Sequence, residues 1–184
     1  LQVYSMAGKP IPAPRFPDSL AWFNAPGPVD LADYRGRVVL LNFSAYCSLP
    51  CIGALDDLAW LANRYPGRVQ VIGVHMPRFP GERTANHIRQ VIARYDISHP
   101  VIHDADGWLA HLYGITSDPT VVVIDPAGQI TGATTGRDRR HKLDRVCAYL
   151  LDKTGQRPGT GRMPRVSRRR RRDAQTLAFP ARVY

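Results

Sequence analysis

The chain has 184 residues, of which 44% are hydrophobic, and carries a formal net charge of +10 at pH 7. This length is enough for one domain with its own core and too short for two ordinary domains. Three cysteines are too few for a disulfide-stapled framework, and no stretch approaches the roughly 20 apolar residues of a membrane span. The sequence therefore predicts one globular domain with tails and no transmembrane segment.

The positive charge is concentrated at the end of the chain. Residues 1–155 contain sixteen Lys and Arg against fourteen Asp and Glu, whereas residues 156–184 contain nine Arg against one Asp. The Arg run at 168–172 follows a stretch rich in Gly, Pro and Arg that cannot bury enough apolar surface to fold. It also lacks the interleaved aromatic residues that stack on bases. We therefore interpret residues 156–184 as a solvated linker or tail, and nucleic acid is not an expected partner.

The first half of the chain predicts an arm followed by a strand and a helix. Four prolines among residues 1–19 favour an extended arm, so regular structure should begin after it. Residues 38–44 are a continuous apolar run, which is typical of a strand buried on both faces of a parallel sheet. Residues 51–65 repeat apolar side chains at helical spacing, and a Pro-Gly pair at 66–67 ends that helix.

The second half predicts a further strand and helix and then a hairpin. A strand at 69–75 and a helix within 82–95 complete a βαβα order, which favours two parallel strands with a right-handed crossover. A short helical piece at 107–113 precedes residues 120–136, where two β-rich runs flank Asp-Pro-Ala-Gly and so predict an antiparallel hairpin. A last helix is predicted at 138–153. We therefore expect an α/β domain at 20–155, with a central mixed sheet of four or five strands flanked by helices.

Two features make this order of elements resemble a known fold. Cys47 and Cys51 stand where the first strand runs into a helix, and Pro119 directly precedes the hairpin. Over residues 20–153 this arrangement resembles the thioredoxin fold. The segments LADYRGRVVLLNF, VIGVHMPRFPGE and PTVVVIDPAG are similar to those of TlpA-like thioredoxins, in particular the thioredoxin-like domain associated with NHL repeats.

The resemblance carries expectations for function and for the rest of the chain. It implies thiol–disulfide exchange with a protein partner, a disulfide between the two motif cysteines in one redox state, and no cofactor. It also implies that Pro119 is a cis-proline that faces the cysteine motif. The final TLAFPARVY resembles the opening of an NHL repeat, which implies that residues 156–184 lead towards an NHL-repeat region.

The spacing of the cysteines departs from the family. Three residues separate Cys47 from Cys51, where the family's motif has two. Aligning Pro50 and Cys51 with the end of that motif puts Ser48 in the attacking position and Cys47 one residue early. A cysteine at a helix start has its thiolate stabilised by free N–H groups and the helix dipole, which lowers its pKa from about 8.5 toward 7. We therefore expect Ser48 to cap the helix and Cys47 to be only weakly activated.

The resemblance also defines an expected substrate groove beside the catalytic candidates Cys47 and Cys51. Tyr46 stands where the family carries Trp before its motif, and Asp118 precedes Pro119 where relatives commonly carry an uncharged residue. A carboxylate about 6 Å from a thiolate repels it by roughly 1–3 kcal/mol, so Asp118 should raise the pKa of the thiol. The expected groove residues are Tyr46, Ser48, Pro50, Asp118 and Pro119.

The sequence leaves two main hypotheses for function. The first is a thiol–disulfide oxidoreductase-like domain, weak in activity, that uses Cys47 and Cys51. The second is a catalytically silent thioredoxin-fold module that binds another protein through the same groove or the basic tail. Nucleic-acid binding through the Arg run is a distant third.

The remaining candidates predict no further chemistry. Cys147 lies in an apolar helical pattern and is expected to pack as a small hydrophobe. His75, His99 and His103 fall near one edge of the sheet, but no Cys or carboxylate completes a zinc set, so no metal site is predicted. The chain begins at Leu1 without a Met or a leader pattern, which leaves the compartment open between the cytoplasm and the cell envelope of a bacterial-like cell.

Overall fold

A computed structural model of the protein describes residues 11–136 and 139–154. In this part of the chain one mixed sheet has the strand order β1-β7-β6-β3-β4-β5-β2. Its strands are β1 (Ile11–Pro12), β2 (Ala21–Phe23), β3 (Val38–Ser44), β4 (Val69–His75), β5 (Val101–His103), β6 (Thr120–Ile124) and β7 (Gln129–Thr135). The helices are α1 (Leu49–Arg64), α2 (Ala85–Arg94), α3 (Trp108–Leu112) and α4 (Arg139–Thr154), with short 3-10 helices at Leu31–Tyr34 and Pro80–Arg83.

The centre of the sheet is strand β3, which is buried along all seven residues. It pairs in parallel with β4 and antiparallel with β6. Because both faces of β3 are covered, its sequence is a continuous apolar run rather than an alternation. Val38 and Leu40 pack against α1 and α4, while Val39, Leu41 and Phe43 pack on the opposite side, where α3 and the first 3-10 helix lie. Helix α2 covers the α1 side through Ile88 and Val91.

The parallel pairing of β3 and β4 decides where the cysteine motif lies. Ser44 at the end of β3 pairs with His75 at the end of β4, and the N–H of Met76 donates to the carbonyl of Ser44 at 3.0 Å. The two loops that follow these strands therefore leave the sheet side by side. Strand β6 begins at Thr120 opposite Phe43, so the segment before the hairpin reaches the same edge of the sheet.

The sheet has more strands than the four or five expected. The additional short strands are β1, β2 and β5, and β1 lies inside the predicted arm, so the expectation that regular structure begins after residue 19 is wrong. Ile11 and Pro12 pair with Ile130 and Gln129 at the edge of the sheet, where a proline without a backbone N–H is tolerated. Strands of two or three residues are too short to produce a periodic sequence signal.

The helices agree with the sequence predictions apart from their ends. Helix α1 begins at Leu49 rather than 51, because Pro50 fits the first turn, where its missing N–H costs no bond. Helix α2 begins only at Ala85, after Thr84 Oγ1 accepts a hydrogen bond from the N–H of His87 at 3.2 Å. Cys147 is fully buried in α4 among the side chains of the core, as predicted. Residues 1–10 of the predicted arm and the predicted linker 156–184 lie outside the described residues.

The buried carboxylate of Asp104 holds the first turn of helix α3, and its contribution to stability can be measured. Its carboxylate is 1% exposed and accepts hydrogen bonds from the N–H groups of Leu109 (3.0 Å) and Ala110 (2.8 Å) at the start of α3. We expect Asp104→Ala to lower the free energy of unfolding in urea by about 1–2 kcal/mol, as loss of a helix cap does. The matched control is Asp106→Ala in the same loop, whose exposed ion pair with Arg83 contributes little. Equal effects of the two changes would contradict this role of Asp104.

Candidate active site

The two motif cysteines lie in the loop after β3 and in the first turn of α1. Cys47 is exposed, whereas Cys51 is 0% exposed and is the third residue of the helix. Both are free thiols. A thiol at the surface thus precedes, by four positions, a thiol that is covered by the protein. The structure places Cys51 in the first helical turn, as the sequence predicts.

Ser48 stands at the N-cap position of α1, with an extended backbone (φ −102°, ψ 125°). Its side chain makes no capping hydrogen bond, so the expectation that the hydroxyl caps the helix is wrong. The hydroxyl instead acts on the thiol of Cys51, whose pKa it lowers. Pro50 is exposed in the same turn, and Leu49 beside it is 82% exposed. Leu49 is therefore an apolar side chain presented to solvent within the motif.

Asp118 contacts the buried cysteine directly. The thiol of Cys51 donates a hydrogen bond to Asp118 Oδ2, with an Sγ–Oδ2 distance of 3.2 Å, which is closer than the expected separation of about 6 Å. The other carboxylate oxygen of Asp118 forms an ion pair with Arg78. The Asp118 side chain is 9% exposed, the Asp118–Pro119 peptide bond is cis, and Pro119 is buried. The segment before the hairpin is therefore in contact with the cysteine motif.

Glu82 lies beside the exposed cysteine, and the sequence analysis did not single it out. It is 5% exposed, and Oε2 accepts hydrogen bonds from the N–H groups of Arg78 (2.7 Å) and Phe79 (3.3 Å). Together with burial, which is the larger cause, this carboxylate raises the pKa of the Cys47 thiol. Arg78 was missed as well. The sequence feature that could have identified both residues is the predicted parallel pairing of β3 and β4, because it brings the loop after β4 to the same edge of the sheet as the cysteine motif.

Both thiols are held in the protonated form. Burial raises the pKa of Cys51, and Asp118 adds to that rise. The Ser48 hydroxyl and the backbone of Ala45 lower the pKa, but by less than burial raises it. Partial burial and the Glu82 carboxylate raise the pKa of Cys47, whereas Arg78 acts in the opposite direction. Although burial alone would raise it, Arg78 and the Cys51 thiol hold the pKa of Asp118 below its usual value. At neutral pH two thiols therefore face two carboxylates.

Tyr46 lies in the interior rather than on the expected groove surface. Its side chain is 3% exposed, and its ring stacks on His75 with centroids 4.9 Å apart and planes 9° apart. His75 in turn stacks on His103 at 5.4 Å. Burial lowers the pKa of His75 to about 4. Burial also lowers the pKa of His99 to about 4, because its Nε2 is buried, although other parts of that residue are exposed. Tyr46 is thus the neighbour of Cys47 in sequence, but its side chain packs in a buried aromatic stack and does not line a groove surface.

Neither a metal site nor a membrane-spanning helix is present among the described residues. No group of three or more His, Cys, Asp or Glu side chains at 11–136 and 139–154 could hold a metal ion. His75 and His103 are close together, but their stacked rings do not direct nitrogens at a common point. In the same two ranges, no helix combines the length and the apolar character needed to cross a bilayer.

Sequence comparisons relate most of the chain to known proteins. A sequence model described as the AhpC/TSA family matches residues 9–133. Protein SUPPRESSOR OF QUENCHING 1, chloroplastic, of Arabidopsis thaliana is 38% identical over 75% of this chain, and human NHL repeat-containing protein 2 is 35% identical over 71%. The chain spans only 13% and 18% of those two relatives. Thiol-disulfide oxidoreductase ResA of Oceanobacillus iheyensis is 33% identical over 67% of this chain and 61% of its own length.

Comparison with solved structures gives the same fold. The thioredoxin-like superfamily protein SPOA0173 superposes with a TM-score of 0.71 at 24% sequence identity, covering 80% of this chain and 99% of that one. This likeness shows a thioredoxin-like fold, with a mixed sheet flanked by helices. It confirms the fold class expected from the order of elements and from the position of the cysteine motif. The relatives with NHL repeats confirm the expected branch.

Proposed function

Because this chain belongs to the AhpC/TSA family, we propose that it acts as a thiol–disulfide oxidoreductase-like domain, exchanging with the disulfide of a partner protein through Cys47 and Cys51. The observation that carries the proposal is the pairing of an exposed thiol with a buried one at the start of α1. An accessible sulfur can react with a large partner, and a covered one can only react within the protein. Its relatives include a protein named thiol-disulfide oxidoreductase.

The proposed exchange proceeds in two steps. Cys47 Sγ, as the thiolate, attacks one sulfur of the partner's disulfide, and the partner's other sulfur leaves with the electron pair and takes a proton from water. Cys51 then loses its proton to solvent and attacks Cys47 Sγ, so that the mixed disulfide breaks and the second partner sulfur leaves. Two electrons have passed to the partner, and the pair has become a disulfide. The reverse sequence oxidises a partner dithiol.

The surroundings of the thiols indicate slow exchange at neutral pH. Glu82 and Asp118 each place a carboxylate against one thiol, and the exposed sulfur precedes the helix rather than occupying its N-cap. The attacking species is the thiolate, so a raised thiol pKa reduces the reactive fraction. We therefore expect little reduction of insulin disulfides, with a rate that rises between pH 7 and 9.

A silent protein-binding module is the second candidate. The observation that favours it is Ser48, which occupies the N-cap position where a cysteine would be activated by the helix. In this case the motif region would serve as a contact surface, with exposed Leu49 as an apolar anchor. The two candidates differ in whether the sulfurs react at all.

Mass spectrometry of the alkylated protein distinguishes these candidates. The protein is equilibrated in glutathione redox buffers, quenched with acid, unfolded so that covered thiols become accessible, alkylated and digested. The first proposal expects a Cys47–Cys51 disulfide in oxidising buffer and two alkylated thiols in reducing buffer. Cys51→Ser should trap a mixed disulfide of glutathione on Cys47, and Cys47→Ser should leave Cys51 free of glutathione because the folded protein covers it. Buried Cys147 is replaced by Ser in all samples, so that every modification belongs to the motif.

A single outcome rejects the redox proposal. If both motif cysteines stay alkylatable thiols across the whole range of glutathione buffers at pH 8, the pair does not exchange. A protein-binding role is then tested with Leu49→Glu, which changes an exposed side chain without touching either sulfur.

A further inference from the structure

The thiol of Cys51 makes a hydrogen bond that can exist in one redox state only. Its hydrogen points to Asp118 Oδ2, 3.2 Å from the sulfur. A disulfide sulfur has no hydrogen to donate, so this bond is lost when Cys51 is oxidised. Hydrogen bonds to an ionised acceptor are stronger than neutral ones, and a buried acceptor that loses its donor is costly. The contact therefore stabilises the reduced protein alone.

Arg78 keeps the acceptor in place. It forms an ion pair with the second oxygen of Asp118, whose side chain is only 9% exposed, while Arg78 itself is 52% exposed. The guanidinium holds the carboxylate ionised and oriented, and leaves Oδ2 directed at the sulfur. Water has little access to replace the thiol as a donor at this depth. Asp118 thus enters the redox equilibrium although it takes no part in breaking or forming a sulfur–sulfur bond.

From these contacts we propose that Asp118, held by Arg78, is a positioning residue that stabilises the dithiol form of the Cys47–Cys51 pair and so makes its disulfide more oxidising. The inference rests on the proposed function, since it concerns the equilibrium of that exchange. The balanced reaction is oxidation of the dithiol by glutathione disulfide, in which one intramolecular disulfide and two glutathione thiols are formed. Asp118 is unchanged in charge, and it loses the hydrogen bond from Cys51.

The effect of Asp118 on the equilibrium between dithiol and disulfide changes sign with pH. Below the pKa of Cys51 the reduced protein carries the thiol, and the hydrogen bond favours the dithiol. Above that pKa the reduced protein carries a buried thiolate that faces a carboxylate, and repulsion disfavours the reduced form. The charged and titratable side chains that act on this sulfur are Asp118, Arg78 and the buried Tyr46. A residue that merely supported the fold would not reverse its effect.

The test measures the equilibrium constant with glutathione for the protein and for Asp118→Asn. At pH 7 the variant should form the disulfide about tenfold more readily, which corresponds to a potential about 30 mV more negative for a two-electron couple. The difference should shrink as pH rises and reverse above the pKa of Cys51. Asp106→Asn is the matched control, because that carboxylate is exposed and touches neither sulfur. Arg78→Gln should shift the constant at pH 7 in the same direction by a smaller factor.

If Asp118→Asn folds poorly, a second variant and a second measurement test the same role of Asp118. With Asp118→Ala, Cys47→Ser and Cys147→Ser combined, Cys51 is the remaining thiol, and its pKa, followed by the ultraviolet absorbance of the thiolate because the sulfur is covered, should fall relative to the same protein with Asp118. Circular dichroism verifies folding. An unchanged equilibrium constant and unchanged pH profile in a folded variant would overturn the role of Asp118 while leaving thiol exchange intact. Failure of the unmodified protein to form the disulfide in any buffer would overturn both proposals.

Discussion

Replacing Ser48 by cysteine should raise the rate of thiol alkylation at pH 7 by well over tenfold. Position 48 is the N-cap of a helix of 16 residues, where the helix dipole stabilises a thiolate. Cys47 lies one residue earlier, where burial and then the Glu82 carboxylate raise its pKa. Each unit by which a thiol pKa falls towards neutrality increases the thiolate fraction about tenfold. The motif then also has two residues between its cysteines, as in the family it resembles.

The measurement is alkylation with a fluorescent iodoacetamide between pH 5 and 9, in a Cys147→Ser background. Ser48→Ala is the matched control, since it removes the hydroxyl that acts on the pKa of Cys51 without adding a sulfur. Adding Asp118→Ala to Ser48→Cys should raise the rate further, because a carboxylate near the motif is removed. If Ser48→Cys leaves the rate unchanged, or if the unmodified protein already shows a Cys47 thiolate at pH 6, the site is built around the longer spacing.

Acidification should destabilise the protein well before its carboxylates are protonated. Burial lowers the pKa of His75 and of His99 to about 4 in the folded protein, against about 6.5 in an unfolded chain. Each imidazole is therefore neutral when folded and takes up a proton on unfolding below pH 6.5. The contribution of each neutral imidazole to the free energy of unfolding is fully present above pH 6.5 and is lost as the pH falls towards 4. Between pH 7.5 and pH 5 each should cost about 2 kcal/mol of unfolding free energy.

Urea unfolding at pH values from 7.5 to 5 measures this dependence. His75→Phe keeps an aromatic ring between Tyr46 and His103 and removes the titrating nitrogen, so it should flatten the curve by about half. Replacement of His111 by Phe is the control, because that histidine is exposed. A curve for His75→Phe parallel to that of the unmodified protein would show that the imidazole of His75 is protonated without unfolding.

The sequence predicts the long elements and misses the short ones for a physical reason. Strands β3 and β4 are seven-residue apolar runs, and helix α1 repeats apolar residues over four turns, so each carries its own signal. Strands β1 and β2 have two and three residues and form only because an edge of the finished sheet is available to them. Their pairing is a property of the tertiary structure rather than of local sequence.

The candidate site shows the same division. Cys47, Cys51, Asp118 and Pro119 were found because they carry recognisable chemistry or stand in a recognisable motif. Arg78 and Glu82 stand in a loop whose sequence resembles an ordinary charged turn, and they reach the thiols only because β4 lies beside β3. That the Ser48 side chain makes no hydrogen bond to the helix backbone, and instead lowers the pKa of Cys51, depends on where Cys51 is placed in the first turn.

Because β3, β4 and β6 are neighbours in the sheet, three separate loops meet at the cysteines. The sulfurs belong to the loop after β3, Arg78 and Glu82 to the loop after β4, and Asp118 to the loop before β6. Reactive atoms and the charges that surround them therefore lie on different segments of backbone. An engineer can vary the electrostatic setting of the thiols by exchanging either of the other two loops, leaving the motif itself unaltered. In the exchange proposed above, the reacting sulfurs and the charges that set their redox equilibrium would therefore be separately adjustable.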